Sequence, residues 1–277
     1  MEPFGTRLHE ARHRRGPLCV GVDPHPELLA RWGLPADVEG LARFSDIVVE
    51  ALAGEVAVVK PQSAFFEQYG SRGIAILEST IRQCRDRGSL VLLDIKRGDI
   101  GSTMRAYAAA YLDPAGPLAA DAVTVTPFLG TGALAPAFTA ARRAGAGVFV
   151  LALTSNPEGA AVQRARTGDG RTVAQTVIDE IAQLNAGAQP LGSMGLVVGA
   201  TIGRTGHELT HVNGPLLAPG MGAQGGTPAD LRAVFGAALH AVLPTYSRHV
   251  LDAGPDVTAL RDAAARVRDE CAAVLVS

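Results

Sequence analysis

Asp94, Lys96 and Asp99 are residue types that can move protons, and all three follow one apolar run. Asp94 directly follows the run Leu-Val-Leu-Leu, Lys96 lies two residues after Asp94, and Asp99 lies three residues beyond Lys96. Side chains two apart on a strand point to the same face, so Asp94 and Lys96 would face one side together. A lysine between carboxylates stays protonated even where water is scarce, because each negative charge favours the ammonium form. The pattern predicts a catalytic charge cluster, and the alternative is a structural salt bridge.

Two further charges end apolar runs in the same way. Asp23 follows Cys-Val-Gly-Val, and Lys60 follows Val-Ala-Val-Val. Each residue by itself is typical of an ordinary solvated strand end. Because both come at the end of an apolar run, as Asp94 does, we expect all of these charges to face one cavity.

A glycine-rich segment, Pro-Gly-Met-Gly-Ala-Gln-Gly-Gly at 219–226, has the composition of an anion-binding loop. It contains Gly-x-Gly-x-x-Gly, but it lies late in the chain and no acidic residue follows at about 20 positions, which disfavours dinucleotide binding. Backbone N–H groups of such a loop can approach a phosphate, and Arg248 would add a bidentate charge. The alternative is a turn whose glycines need positive φ.

The segment His207-Glu-Leu-Thr-His211 matches the zinc-protease pattern, and we interpret the match as accidental. Gly206 precedes the segment and Asn-Gly-Pro ends it, which leaves about two turns of a crossover helix and supplies no third ligand. The three cysteines, Cys19, Cys84 and Cys271, are far apart and odd in number, which is unsuited to a disulfide framework. We predict no metal site and a reducing, cytoplasmic environment.

Short apolar runs alternate with longer helical segments, which predicts a parallel sheet with crossover helices. Several runs are apolar nearly end to end, as strands buried on both faces should be. The predicted strands are Leu18–Val22, Val56–Lys60, Leu90–Lys96, Ala122–Thr126, Val148–Thr154, Gly195–Ala200, Pro215–Pro219 and Ala241–Thr245. Eight repeats with polar strand ends predict a single-domain α/β fold over residues 1–277, a (β/α)₈ TIM barrel, and the alternative is an open doubly wound sheet.

The segment Thr172–Asn185 has apolar residues at a helical period and predicts an amphipathic helix on the outer wall of the barrel. The preceding Glu158–Arg171 carries three glycines and no periodicity, which predicts a long mobile loop. Thr227 or Asp230 with Pro228 marks the beginning of a helix after the glycine-rich segment.

The overall charge excludes several classes of partner. Net charge is −2 and the pI is about 6.4, so the chain lacks the basic field that nucleic acids or anionic membranes attract. No run of 18 or more apolar residues occurs, and the first 16 residues have no apolar core of a signal peptide. We expect a small-molecule substrate, no nucleic acid, no membrane and no export.

These motifs together resemble the orotidine 5′-phosphate decarboxylase family, over about residues 18–248. The run Asp-Ile-Lys-Arg-Gly-Asp-Ile-Gly-Ser-Thr at 94–103 and the run Lys-Pro-Gln-Ser-Ala-Phe-Phe-Glu at 60–67 look like the longer, second type of that family. The resemblance implies decarboxylation of orotidine 5′-monophosphate to uridine 5′-monophosphate, the last step of pyrimidine nucleotide synthesis, without a cofactor or metal.

The resemblance also implies roles for the charged residues. Lys96 would be the proton donor, and Asp94 would sit beside the carboxylate of the orotate ring. Lys60, part of the same catalytic charge cluster, and Asp23 would bind ribose hydroxyls.

Three more residues would bind the rest of the substrate. Ser155 would meet the amide edge of the pyrimidine, and Gln224 with Arg248 would hold the 5′-phosphate. Many family members have glycine before the phosphate-binding arginine, whereas this chain has Ser247. Backbone N–H binding survives that change, so it affects only the fine geometry.

The resemblance implies a homodimer with two shared active sites. Asp99, with Ile100 and Thr103, would reach into the site of the neighbouring subunit. The three charges that are close in sequence would therefore serve two different sites.

The expected chemistry is electrostatic. Loss of CO₂ leaves a vinyl carbanion at C6 with no conjugated π system, and Lys96 as a nearby cation would stabilise that charge and then protonate it. One rival is a sugar-phosphate decarboxylase barrel that holds Mg²⁺ through a carboxylate of the second strand, but Lys60 occupies that position and would repel the ion. The other rival is a barrel that binds nucleotides without turning them over.

Overall fold

The computed structural model describes residues 1–275, and its centre is a closed barrel of eight parallel strands paired in chain order, with β8 returning to β1. The strands are β1 Cys19–Val22, β2 Val58–Pro61, β3 Leu90–Arg97, β4 Ala122–Val125, β5 Gly147–Leu153, β6 Met194–Val198, β7 Leu216–Ala218 and β8 Val242–Tyr246. All eight predicted strands are present with small shifts at their ends. Closure confirms the TIM barrel and excludes the open sheet.

Helices surround the barrel and lie between most successive strands, as the predicted alternation requires. They are α1 Phe4–Arg15, α2 Pro26–Arg31, α3 Val38–Leu52, α4 Ala64–Glu67, α5 Gly70–Asp86, α6 Gly101–Leu112, α7 Ala135–Ala144, α8 Ala160–Gln163, α9 Val173–Leu184, α10 Pro228–Phe235, α11 Arg248–Leu251 and α12 Val257–Leu275. Short 3₁₀ turns occupy Thr131–Leu134, Pro157–Gly159, Thr210–Val212 and Gly236–Ala241. In residues 1–275, no helix is both long enough and apolar enough to cross a membrane.

The predicted amphipathic helix is confirmed as α9. Thr172 is its N-cap and accepts a hydrogen bond from the backbone N–H of Gln175, and the helix buries a stripe of apolar residues at helical spacing. α10 begins as predicted, with Pro228 in its first turn and a reciprocal capping box between Thr227 and Asp230.

Residues 158–171, predicted as a loop without structure, contain helical turns. The 3₁₀ turn Pro157–Gly159 runs into α8, and a bridge between Arg166 and Thr172 closes the end of the segment. The three glycines concealed these turns because they removed any helical period from the sequence.

The connection between β6 and β7 differs from the other crossovers, because within residues 1–275 it contains a 3₁₀ turn and no α-helix. Gly203 and Gly206 both have φ of 69°, which interrupts a helix. The two-turn helix expected at 207–211 is therefore wrong. His207 lies before the 3₁₀ turn, where its two ring nitrogens contact the Thr205 carbonyl and the Thr172 hydroxyl.

Apolar side chains close the amino-terminal end of the barrel. On α1, Phe4 and Leu8 are fully buried, and the Phe4 ring packs edge-on against Phe149 of β5 at 5.9 Å. A Cβ atom at Gly147 would lie 2.4 Å from the Phe4 ring, so only glycine admits that ring at the beginning of β5. With this end filled, the carboxyl ends of the strands form the open mouth.

Candidate active site

A cavity of about 280 Å³ opens at the carboxyl ends of the strands. Six of the predicted site residues line it: Asp23, Lys60, Asp94, Lys96, Gln224 and Arg248. A groove of about 550 Å³ between α6 and α7 is larger, but alanine and proline supply seven of its twelve lining residues. The smaller cavity is the candidate active site because charged and polar groups from β1, β2, β3, β7 and β8 converge there.

Asp94 is the centre of the charge cluster. The Lys96 ammonium lies 2.7 Å from both of its carboxylate oxygens, and the Lys60 ammonium lies 3.2 Å from one of them. Thr124 of β4 donates its hydroxyl to the same carboxylate at 2.6 Å. Asp94 and Lys60 are 8% and 5% exposed, whereas the Lys96 side chain is 48% exposed. The cluster therefore pairs a buried carboxylate with one buried lysine and one lysine that solvent or a ligand can reach.

Electrostatics keep these groups charged despite burial. Burial by itself would raise the pKa of Asp94, but Lys60 and Lys96 outweigh it and hold that pKa well below its usual range. Burial by itself would lower the pKa of Lys60, but Asp94 and Asp23 outweigh it and raise that pKa above the ordinary lysine value. The site thus holds an aspartate anion and a lysine cation at neutral pH.

Both lysines of the chain lie in this cavity, since Lys60 and Lys96 are the only two in the sequence. Every other basic side chain that is charged at neutral pH is an arginine. This bias is visible in the sequence alone. A lysine ammonium can act as a proton donor, whereas an arginine guanidinium stays protonated.

A β-bulge directs the Lys96 side chain. The register of β3 against β4 shifts between Leu93 and Arg97, and Lys96 in this interval has a positive φ of 46°. The hydroxyl of Thr124 accepts a hydrogen bond from the Lys96 backbone N–H at 3.0 Å while it donates to Asp94. Positive φ is unfavourable for a residue with a side chain, so surrounding contacts must hold this conformation.

Thr124 is a site residue that the sequence analysis missed. It lies inside the apolar run Ala-Val-Thr-Val and is 1% exposed. A single threonine in an apolar strand is ordinary, so the pattern contains no signal for its role. Its position opposite the bulge becomes visible only when β3 and β4 are paired.

Asp23 has one oxygen in use and one free. Its Oδ2 accepts a hydrogen bond from the Ser247 hydroxyl, whereas its Oδ1 is buried and has no hydrogen-bond partner among residues 1–275. Asp23 is 7% exposed and lines the cavity. A buried carboxylate oxygen without a protein donor is costly, and this oxygen can accept a hydrogen bond from a further donor in the cavity. Ser247, noted in the sequence as a departure from the family pattern, thus orients Asp23.

The glycine-rich loop forms a tight turn next to the cavity. Gly220, Gly222 and Gly225 have φ of 100°, 67° and 90°, as the turn interpretation requires. The N–H groups of Gly222 and Gly225 bond to carbonyl groups within the loop. These two N–H groups already donate within the loop. On this side of the cavity, the Gln224 and Arg248 side chains supply polar groups.

Four predicted site residues do not line the cavity of their own chain. Asp99 accepts a hydrogen bond from the Ile100 N–H at 2.8 Å, and Ile100 and Thr103 are exposed at the beginning of α6. Ser155 is also exposed, and its neighbour Thr154 lines the cavity instead.

Gln163 of α8 holds Thr154 in place from the segment that the sequence analysis treated as a loop. Its side-chain oxygen accepts a hydrogen bond from the Thr154 N–H, and its amide nitrogen donates to the Thr154 hydroxyl. The end of β5 is therefore anchored by α8.

Comparison with known proteins gives one consistent family. The model of the orotidine 5′-phosphate decarboxylase / HUMPS family matches residues 16–263. Among curated proteins, orotidine 5′-phosphate decarboxylase of Salinispora tropica is 74% identical over 275 residues, which cover 99% of each chain. The enzyme of the same name from Streptomyces coelicolor is 62% identical over 266 residues, which cover 96% of each chain.

A solved structure has nearly the same fold. A crystal structure of a Streptomyces avermitilis protein matches with a TM-score of 0.98 and 60% sequence identity, covering 100% of this chain and 97% of the other. The similarity thus extends over the barrel, the mouth and the connecting segments.

Proposed function

Because the chain belongs to the orotidine 5′-phosphate decarboxylase / HUMPS family and is a carboxy-lyase, we propose that it converts orotidine 5′-monophosphate to uridine 5′-monophosphate and CO₂. The observation that carries this proposal is the Asp94 cluster, in which Lys96 is hydrogen-bonded to Asp94, is half-exposed and lines the cavity. The proposal includes a single barrel domain over residues 1–277, a reaction without cofactor or metal, and a cytoplasmic location. All three cysteines are buried and free, which fits a reducing compartment.

Lys96 supplies both charge and proton in the proposed reaction. The bond between C6 and the carboxylate carbon breaks, its electron pair stays on C6, and CO₂ leaves. The Lys96 ammonium stabilises the developing carbanion and transfers a proton to C6, and the neutral amine then takes a proton from water. The preorganised ion pair with Asp94 keeps the ammonium in place before the bond breaks.

Asp94 is the proposed neighbour of the departing carboxylate. Its low pKa keeps it negative when a second negative group binds close by. Repulsion between the two carboxylates raises the energy of the bound substrate and disappears when CO₂ leaves as a neutral molecule. Lys60 balances part of this charge from the other side of Asp94.

The rest of the cavity suits a nucleotide. The unpaired Oδ1 of Asp23 is an acceptor for a ribose hydroxyl, and the neighbouring Lys60 is a donor. Arg248 and Gln224 supply the charge and the amide that would hold the 5′-phosphate. Ser155, which follows Thr154 of the cavity wall, would meet the pyrimidine amide edge.

We propose a homodimer with shared active sites. Asp99, Ile100 and Thr103 lie outside the cavity of their own chain, on the exposed beginning of α6. Ile100 is 61% exposed, and Phe128 and Leu129 in the loop after β4 are 77% and 53% exposed. Exposed apolar side chains of this size are typical of an interaction surface. In the dimer, Asp99, Ile100 and Thr103 would enter the site of the second copy.

An assay in EDTA tests the function. We expect the purified protein to turn over orotidine 5′-monophosphate at an undiminished rate in EDTA, followed as loss of orotate absorbance. Turnover that disappears in EDTA and returns with Mg²⁺ would support the metal-dependent rival, and nucleotide binding without turnover would support a silent barrel. Either of these two results would refute the proposal.

A further inference from the structure

The ion pair between Glu67 and Arg97 stands directly beside the charge cluster. An Arg97 guanidinium nitrogen donates to a Glu67 carboxylate oxygen at 2.5 Å, and the two side chains are 30% and 33% exposed. An ion pair that is this exposed contributes little to stability, because water competes for both charges. Its position next to Lys96 therefore matters more than its strength.

Contacts around the pair connect it to both sides of the cluster. The Ser63 hydroxyl donates to the same Glu67 oxygen at 2.5 Å, and the Ser63 N–H donates to the Asp94 carbonyl at 3.1 Å. On the other side, an Arg97 guanidinium nitrogen donates to the Ile95 carbonyl at 3.3 Å. The pair thus joins the segment after β2 to the residues on either side of Lys96.

The segment that the pair holds is the strained one. Lys96 has φ of 46° and lies between Ile95 and Arg97, inside the β-bulge. The Arg97 carbonyl accepts a hydrogen bond from the Thr126 N–H at 2.9 Å, and the Arg97 guanidinium lies 5.9 Å from the centre of the Tyr107 ring. Arg97 is therefore fixed at its backbone and at its side chain. Strained backbone persists only where its surroundings fix it in this way.

We propose that Glu67 and Arg97 are positioning residues for Lys96, because together they hold the bulge that places the Lys96 ammonium 2.7 Å from both oxygens of Asp94. Only the kinetic test of this positioning role rests on the proposed function. Displacement of the ammonium by about 1 Å is enough to slow a reaction that depends on its position by as much as 100-fold.

Arg97→Ala is the main test, with Arg14→Ala as its matched control. Arg14 also forms an ion pair with a glutamate, Glu10, but on the exposed surface of α1. We expect Arg97→Ala to lower kcat about tenfold while KM stays within about threefold, because substrate binding at Asp23 and Arg248 is unchanged. Millimolar guanidinium should restore part of the lost kcat by occupying the vacated site. Arg14→Ala should match the unsubstituted protein in both parameters.

A spectroscopic measurement makes the test independent of turnover. Because the chain has only two lysines, ¹⁵N-lysine labelling gives only two side-chain signals, and Lys96→Arg assigns them. The Lys96 signal should shift in Arg97→Ala and stay in place in Arg14→Ala. An unshifted Lys96 signal, or a kcat within about twofold of the unsubstituted protein, would overturn the proposal.

Two other outcomes, a variant that does not fold and an unsubstituted protein that shows no turnover, each have their own criterion. If Arg97→Ala does not fold, Glu67→Gln replaces it, with Glu10→Gln as control and the same criteria. If the unsubstituted protein does not turn over orotidine 5′-monophosphate, the proposed function fails, and the Lys96 signal alone decides whether the pair positions Lys96.

Discussion

Asp121 at the amino-terminal end of the barrel and Asp23 at the mouth are buried to nearly the same degree, 5% and 7% exposed, but their oxygens are used differently. One oxygen of Asp121 accepts a hydrogen bond from Arg7 at 2.6 Å, and the other accepts one from the Val91 N–H at 2.9 Å. Within residues 1–275, Asp23 has one partner and one oxygen without a donor. The carboxylate at the closed end is satisfied by the fold, whereas the one at the mouth keeps an oxygen that can accept a further hydrogen bond.

The two ends also differ in which residue type has positive φ: before β7, at the closed end, it is Asn213, and asparagine tolerates this conformation. At the closed end, α1 packs Phe4 against Phe149 and fills the barrel with apolar side chains. At the mouth, Lys96 has positive φ and the strands lose register. Proteins violate local rules at functional sites and are stabilised elsewhere, which explains why the two ends of one barrel follow different rules.

Lys96→Ala gives the largest expected effect on the mouth. We expect kcat to fall at least about 1,000-fold, because the variant loses both the cation beside C6 and the proton donor. Binding of uridine 5′-monophosphate, measured by calorimetry, should stay within about threefold, since Asp23, Gln224 and Arg248 remain. Appreciable turnover by the variant would contradict the assignment of Lys96 as proton donor.

Asp121→Ala tests the closed end. Removing this carboxylate leaves the Val91 N–H without its acceptor and breaks the ion pair with Arg7, although Arg7 keeps its hydrogen bond to the Gly145 carbonyl. The free energy of unfolding should fall by about 3 kcal/mol. The kcat per folded molecule should not change. Urea denaturation measures the first quantity, and Asp262→Ala on the exposed face of α12 is the control. A large fall in kcat without loss of stability would show that the two ends are not functionally separate.

The sequence predicted the barrel well because strands buried on both faces are apolar nearly throughout. Val91, Leu92 and Leu93 are fully buried in β3, and such runs are visible without any alignment. The crossover after β6 was predicted wrongly because Gly203 and Gly206 interrupt the expected helix. Long apolar segments are thus predictable, whereas the loops between them depend on single backbone positions.

The site was predictable where a charge ended an apolar run. Asp23, Lys60, Asp94 and Lys96 were found in this way and meet in one cavity. The contacts that support the site were not predictable. The hydrogen bond between Glu67 and Arg97, for example, joins residues 30 apart, and no periodic pattern in the sequence indicates it. Thr124 was missed for the same reason, because its hydrogen bond to Asp94 also joins residues 30 apart.

Asp23→Asn contrasts directly with Asp121→Ala. The asparagine can still accept the hydrogen bond from Ser247, and a neutral amide is easier to bury than a carboxylate with a free oxygen. We expect at most a small loss of free energy of unfolding, because Asp94 still stabilises the buried Lys60 ammonium, and a KM about tenfold higher, because the proposed charged acceptor for the ribose is lost. Steady-state kinetics and urea denaturation check the two parts. A destabilised variant with unchanged KM would mean that Asp23 is structural, like Asp121.

The pH dependence of stability gives the smallest effect and concerns Asp94. Its folded pKa is depressed, so its contribution to stability is present above the ordinary aspartate pKa of about 3.9 and is lost as the pH falls towards the folded value. The free energy of unfolding of the unsubstituted protein should therefore exceed that of Asp94→Asn by a constant amount down to about pH 5, and the difference should shrink by about 1 kcal/mol at pH 3. The raised pKa of Lys60 predicts that its contribution to the free energy of unfolding of the unsubstituted protein is complete below the ordinary lysine pKa of about 10.4 and is lost as the pH rises towards the folded value. Urea titrations at each pH measure both limits. A difference that stays constant from pH 5 to pH 3 would show that the lysines do not hold Asp94 ionised in the folded protein.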